Sequence, residues 1–202
     1  MFRLLLVTDR HATRDRPLVE VVAAALRGGV DAVQLREKDL DGGALYRLGC
    51  ELRALCTAAG AKLLVNDRID VALACGADGV HLPVRSFDPA DARALLGAGK
   101  LIGCSTHSRD EAQRAAAGDA DYVVLGPIFA TPAKRPYGEP LGLDTFARVA
   151  RSIALPVLGI GGIDAASAAD VRASGAIGVA VIAAILAADD PEAAARAIRG
   201  AP

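Results

Sequence analysis

The chain has almost no net charge: 23 Lys and Arg face 24 Asp and Glu, a formal charge of −1. No global field would therefore attract nucleic acid, and any basic site must be local. Cysteine is scarce. The four present, Cys50, Cys56, Cys75 and Cys104, form no C-x-x-C pair and no metal-ligand spacing. Three of them lie in Ala/Leu-rich segments, where small buried thiols are common, so a reduced, cytoplasmic setting is expected. Long apolar runs are missing as well. The longest, 176–188, is about 13 residues, short of the roughly 18 a spanning helix needs, and no membrane partner is expected. It reads as a buried strand followed by a helix. Met1-Phe2-Arg3 leads directly into the apolar residues 4–7, without the length or cleavage site of a signal peptide. Finally, the first apolar run ends in Thr8-Asp9-Arg10, which is not the glycine-rich turn that dinucleotide folds place after their first strand.

What is present is a regular alternation. With 202 residues and 52% hydrophobic content, the chain can bury a substantial core as one domain. Short apolar runs at 4–8, 32–35, 63–65, 79–82, 101–104, 122–125, 157–160 and 177–181 alternate with segments of helical periodicity. Capping signals mark several helix starts: Asp88-Pro89, Ser108, and Pro191 in a first turn. Eight strands alternate with eight helices at a spacing of roughly 20–30 residues, which predicts parallel strands and a single-domain (β/α)8 TIM barrel. An open doubly wound sheet is the rival architecture. In the barrel, the loops after the strands' C-terminal ends carry the active site.

Polar residues gather at those ends. V-Q-L-R-E-K-D at 33–39 breaks an apolar run with Gln34, Arg36, Glu37 and Lys38. Alternation puts Gln34 and Arg36 on one face and Val33 and Leu35 on the other. An amide, a guanidinium fork and a mobile ammonium so close together suit an anionic substrate. Gly159, Gly161 and Gly162 follow the seventh strand, where backbone N–H groups can approach a phosphate. Asn66-Asp67 follows the third; Asp67 is either a Mg²⁺ ligand or an N-cap for the helix starting near Ile69. Of three histidines, His107 lies in a hydroxyl-rich strand-end loop beside Ser105 and suits general acid/base work. His81, on the fourth strand, is read as structural. Lys134 lies in the long Pro/Gly-bearing loop after the sixth strand, as a lid cation or a solvated lysine.

These segments resemble the thiamine-phosphate synthase and thiazole tautomerase superfamily over nearly the whole chain. Besides V-Q-L-R-E-K-D, the shared motifs are V-N-D at 65–67, A-D-G-V-H-L at 77–82, G-C-S-T-H-S at 103–108, D-Y-V-V-L-G-P-I-F at 121–129 and G-I-G-G-I at 159–163. The resemblance implies a (β/α)8 barrel acting on a thiazole phosphate in thiamine biosynthesis, with a homodimer expected. In the synthase branch, residues matching Gln34, Arg36, Lys38, Asn66, Asp67 and Lys134 hold Mg²⁺ and diphosphate. Ser105, Thr131, Gly161, Gly162 and Ala183 fall at substrate- and phosphate-binding positions.

Three positions depart from the synthase pattern. Ser86 stands where that branch has its second Mg²⁺-binding Asp, the T-x-T-K loop reads Thr131-Pro132-Ala133-Lys134, and Ala183 replaces a serine after the eighth strand. A neutral hydroxyl cannot supply a carboxylate's charge to a diphosphate-bound metal. The L-P-x-x-S stretch looks instead like the tautomerase branch, where a histidine matching His107 shuttles a proton between two forms of the thiazole phosphate carboxylate. Tautomerase, with His107, Lys134 and Arg36 as catalytic residues and no required cofactor, is accordingly the leading expectation. The synthase with Mg²⁺ is the alternative, and a non-catalytic thiazole phosphate-binding regulator is a further one.

Overall fold

The computed structural model describes residues 1–131 and 139–200. Eight parallel strands close into a barrel in sequence order: β1 (Leu4–Val7), β2 (Ala32–Leu35), β3 (Lys62–Asn66), β4 (Gly79–Leu82), β5 (Leu101–Thr106), β6 (Tyr122–Leu125), β7 (Val157–Ile160) and β8 (Gly178–Val181), with β8 pairing back to β1. Between them run α1 (Leu18–Arg27), α2 (Gly42–Ala59), α3 (Ile69–Ala74), α4 (Pro89–Leu96), α5 (Arg109–Ala117), α6 (Gly142–Ser152) and α7 (Ala168–Ala173). The chain after β8 is divided into α8 (Ala183–Leu186) and α9 (Pro191–Arg199), so the described residues hold one helix more than the expected eight. This is the predicted TIM barrel.

Alternation sorts the strand residues into two cores. Val33, Leu35, Val65, Val80 and Leu82 face outward into the layer shared with the helices. Leu5, Val7, Ala32, Leu64, Tyr122, Val124, Leu158 and Ala180 face inward and pack on one another. Both cores are buried, as the short continuous apolar strands of a parallel sheet require. Gln34 lies in register with Leu64, Asn66 with His81, and Ser105 with Val124. The polar residues thus replace apolar ones at the upper, C-terminal end of the barrel. Across the β1–β2 seam, the buried Thr8 takes the Arg36 N–H on its hydroxyl at 2.9 Å and gives its own N–H to the Gln34 carbonyl at 2.9 Å.

The lower end is fastened by a repeated device. Asp31, just before β2, accepts the N–H groups of Arg3 and Leu4 at 2.8 Å. Asp78, just before β4, accepts that of Leu63 at 2.9 Å, and Asp121, just before β6, that of Ile102 at 2.6 Å. Each carboxylate also meets a cation: Asp31 meets Arg199, Asp78 meets Arg53 and Lys62, and Asp121 meets Arg93. Burial pushes the Asp78 carboxyl up, but the Leu63 N–H together with Lys62 and Arg53 leaves it below its usual value. The corresponding position before β8 is Ile177, which is exposed.

Candidate active site

The mouth of the barrel has a central cavity and two flanking pockets. Gln34, Arg36, Asn66, His81, Ser105 and His107 line the centre, over an apolar floor that includes Val7 and Val124. Gln34 donates from Nε2 to Asn66 Oδ1 at 3.4 Å, a long bond. No hydrogen bond of the Arg36 guanidinium reaches a described residue, so its planar fork is available to an anion.

His81, read from the sequence as structural, is buried in the wall of the central cavity. Its ring faces the barrel interior and is 2% exposed. Nε2 lies 2.9 Å from Ser105 Oγ and Nδ1 lies 3.2 Å from the Tyr122 hydroxyl. Burial, assisted by the positive charge of Arg36, pushes the imidazole down to about 3, so it is neutral at any working pH. Tyr122 reaches beneath it only because β5 has a glycine between them: a Cβ on Gly103 would sit 2.1 Å from Tyr122 Cζ. Sequence alternation could not reveal this, since all four residues of β4 are buried.

On one flank, Glu37, Lys38, Asn66, Asp67, Arg68 and Arg85 line a pocket over the ends of β2 to β4. Arg68 and Arg85 were not anticipated; the only available signal was their place just after V-N-D and H-L-P. Arg68 is already paired with Asp70 at 2.5 Å. Asp67 does not cap α3. Its backbone takes φ 66°, Arg68 occupies the N-cap position, and the Asp67 carboxylate instead accepts the hydroxyl of Ser86. Glu37 is buried, with Oε2 accepting the Arg10 N–H at 3.0 Å and Oε1 unpartnered. Arg10 also forms a two-pronged ion pair with Asp39 at 2.6 Å, which with the His11 ring holds the Asp39 carboxyl well below its usual range.

The opposite flank, over β7 and β8, is electrically plainer. Thr131, Gly161, Gly162, Val181 and Ala183 line it, with Asp9, whose carboxylate is engaged by the His11 N–H. The N–H groups of Gly162, Ala183 and Ala184 donate to no described residue. The glycines are needed here: Gly161 and Gly162 take φ of 101° and 66°, and a Cβ on either would come within 2.6–2.8 Å of Pro127 or Phe129. Such a cradle of free N–H groups suits a phosphate. In a ring of eight, β3 and β7 are diametrically opposed. The two anion-suited ends therefore face each other across the central cavity.

The remaining expected residues fall as follows. His107 is 44% exposed by its side chain at the edge of the central cavity, its ring 3.5 Å from Glu111 Oε2 and its N–H bonded to the same oxygen at 2.6 Å. Ser108 caps α5 as expected, accepting the Glu111 N–H. Ser105 lies within β5 and not after it, because the β5–β6 ladder continues to Thr106 and Leu125. Lys134, with Pro132 and Ala133, lies outside the described residues.

Comparison with known proteins fits this geometry. Residues 4–185 match the family model described as thiamine monophosphate synthase. The chain belongs to that family. Its members are enzymes of thiamine biosynthesis, and the chain's relatives carry synthase names. It is 50% identical over 193 residues to the thiamine-phosphate synthase of Roseiflexus castenholzii, covering 95% of this chain and 84% of that one. To the thiamine-phosphate synthase of Chloroflexus aurantiacus it is 46% identical over 198 residues, covering 98% and 91%. A solved thiamine phosphate pyrophosphorylase from Pyrococcus furiosus superposes with a TM-score of 0.88 at 36% identity, over 98% of this chain and 93% of that one. These names favour the alternative reading of the sequence over the tautomerase it put first. Ser86, Ala183 and Ala133 remain departures from the synthase pattern within the family.

Proposed function

We propose that the protein is a thiamine-phosphate synthase, which joins a hydroxymethylpyrimidine diphosphate to thiazole phosphate and releases diphosphate. The observation that carries this is the pair of opposed anion-suited ends. An isomerase of thiazole phosphate carboxylate has one phosphate and one carboxylate to hold, whereas joining a diphosphate to a phosphate fills both ends with phosphoryl groups, which the several cations of the β2–β4 end suit. The relatives' names point the same way.

In this reading the thiazole phosphate rests on the N–H groups of Gly162, Ala183 and Ala184, with Thr131 beside it. The missing serine hydroxyl at Ala183 is tolerated because the backbone donor remains. The diphosphate lies over β2 to β4 against Arg36 and Lys38, with Arg68 and Arg85 at the rim. The pyrimidine occupies the centre beside Gln34, His81 and Ser105. The bond from the pyrimidine methylene carbon to the diphosphate oxygen breaks, its electron pair leaving on the diphosphate, and the thiazole nitrogen lone pair forms the new C–N bond. No proton needs to move in that exchange. The protein's task is to neutralise the leaving diphosphate and hold the two rings in line, both of which fixed cations and a dry cavity accomplish.

The residues present fit Mg²⁺ of one kind. Asp67 and Asn66 offer a carboxylate and an amide oxygen at the cationic pocket, and no cluster of three or more His, Cys, Asp or Glu suited to a metal occurs among the described residues. That suits an ion that keeps several waters and is shared with substrate phosphates rather than caged by protein. When bound, it would supply further charge neutralisation at the diphosphate.

The test is a coupled assay of diphosphate release with both substrates and Mg²⁺, run beside an NMR assay of thiazole phosphate carboxylate isomerisation. Fast diphosphate release without isomerisation supports the proposal. Isomerisation alone returns the chain to the tautomerase reading, and binding without either reaction returns it to a regulator.

A further inference from the structure

The proposed reaction gives His81 and Tyr122 no step of their own, yet they belong to a deeply buried polar chain. Tyr122 is 0% and His81 is 2% exposed, and the chain Tyr122 Oη, His81 Nδ1, His81 Nε2, Ser105 Oγ is linked at 3.2 and 2.9 Å. His81 and Ser105 both line the cavity, and of the three only Ser105 is more than marginally exposed.

A neutral imidazole carries one proton, so the chain can run in two directions. In the first, the Tyr122 hydroxyl donates to Nδ1, Nε2–H donates to Ser105, and the Ser105 proton is left to point into the cavity. In the second, Ser105 donates to Nε2 and Nδ1–H donates to the Tyr122 oxygen. The Tyr122 proton is then stranded. Besides the His81 ring, no described residue is hydrogen-bonded to that hydroxyl, and the ring of Phe2 meets Tyr122 edge-on at a centroid distance of 5.5 Å. A buried donor without an acceptor is the costliest kind of unmade hydrogen bond, so the first direction prevails.

We propose that Tyr122 and His81 are positioning residues that fix the Ser105 hydroxyl as a donor into the cavity, so that the substrate atom opposite it is a lone-pair acceptor, an unprotonated nitrogen of the pyrimidine ring. Ser105 shares the central cavity with Arg36 but does not line the pocket of Lys38, Arg68 and Arg85, which favours a ring nitrogen over a diphosphate oxygen. The inference rests on the proposed function only in naming the ring; the direction of the chain rests on the hydrogen-bond geometry and on the burial that keeps the imidazole neutral.

Two measurements test it. The first needs no substrate: ¹⁵N NMR of histidine-labelled wild-type protein, with His11 and His107, both exposed, assigned by His11→Gln and His107→Asn. We expect the His81 ring to carry its proton on Nε2, unchanged between pH 5.5 and 8. A proton on Nδ1, or on both nitrogens, overturns the proposal. The second is a double-mutant cycle on kcat/KM with Ser105→Ala, His81→Asn and the pair. Each single change is expected to lower kcat/KM by about tenfold, as for one lost hydrogen bond, with the pair no worse than Ser105→Ala alone. Effects that multiply would mean His81 acts independently of Ser105 and would overturn its positioning role. Inhibition by inorganic diphosphate is expected to be equal in wild type and Ser105→Ala. Weaker inhibition in the variant would overturn the ring-nitrogen assignment in favour of a diphosphate oxygen. If diphosphate release is not catalysed at all, the NMR result still decides the direction of the chain.

Discussion

Mild acid is expected to destabilise this protein, and His81 is the cause. Its pKa falls from 6.5 to about 3 on folding because the ring is sealed inside the barrel with Arg36 nearby. The sign follows from proton binding: between those values the unfolded chain takes a proton that the folded chain refuses, so stability is full above the unfolded value and drains as pH falls. The slope is about 1.4 kcal/mol per pH unit, so moving from about pH 7 to pH 5 removes about 2 kcal/mol. For a chain of this length that lowers Tm by about 4–8 °C. The carboxyls held below their usual value, among them Asp39, Asp70, Asp78 and Asp164, add their own losses only below about pH 4. Thermal melts in steps from pH 7 to 4.5 on wild type and His81→Asn isolate the histidine. The variant begins from a lower Tm, having lost two hydrogen bonds, but its curve is expected to be flat in that window. Parallel curves for the two proteins would refute the assignment, and with it the claim that the ring is neutral and dry.

Four further outcomes are expected. Arg36→Ala and Lys38→Ala each slow diphosphate release by about 10²–10³-fold with Tm unchanged, since preorganised charge at a leaving group acts at that scale; normal turnover would remove both from the site. Gly162→Ala places a Cβ 2.8 Å from Phe129 Cβ at φ 66°, costs about 1–3 kcal/mol of stability, and weakens thiazole phosphate binding in calorimetry. Ser86→Asp tightens Mg²⁺ in a titration monitored with diphosphate present, while EDTA abolishes wild-type turnover; EDTA-resistant turnover would show that no such ion is used. His107→Asn changes diphosphate release by only a few-fold, whereas the tautomerase reading requires a loss of about 10²–10⁴-fold in isomerisation.

The barrel was legible because each strand is a short apolar run between a helix and a polar strand end, a pattern that needs no long-range information. Gln34 and Arg36 were legible for the same reason: period two alone sets them on the face opposite Val33 and Leu35, and the cores agree. At Asp67 the sequence leaves metal ligand and helix cap both open, because Asn-Asp before a helix looks the same whether the side chain turns to the backbone or to Ser86, 19 residues on, and in the structure the cap alternative fails. His81 and Tyr122 were beyond reach of local pattern. They are 41 residues apart, on strands separated by β5, and meet only through the space above Gly103. Arg68 and Arg85 sit in loops whose charges read as solvated until the closure of the barrel turns them toward one pocket.

The carboxylates at the foot of the barrel also protect the meaning of the mouth. In a parallel sheet, a one-residue slip turns every side chain of a strand to its other face, and such an error in β2, β3, β4 or β5 would send Gln34, Asn66, His81 or Ser105 out among the helices. Asp31, Asp78 and Asp121 tie β1 to the chain entering β2, β3 to that entering β4, and β5 to that entering β6. Of the four pairs β1–β2, β3–β4, β5–β6 and β7–β8, the last has no such tie among the described residues, and it holds only Val157, Leu158, Gly159, Ile160, Gly178, Val179, Ala180 and Val181. What the chain offers beyond those two strands is backbone N–H groups. The fold has its error correction where side-chain identity carries the message, and does without it where the message is written in the backbone.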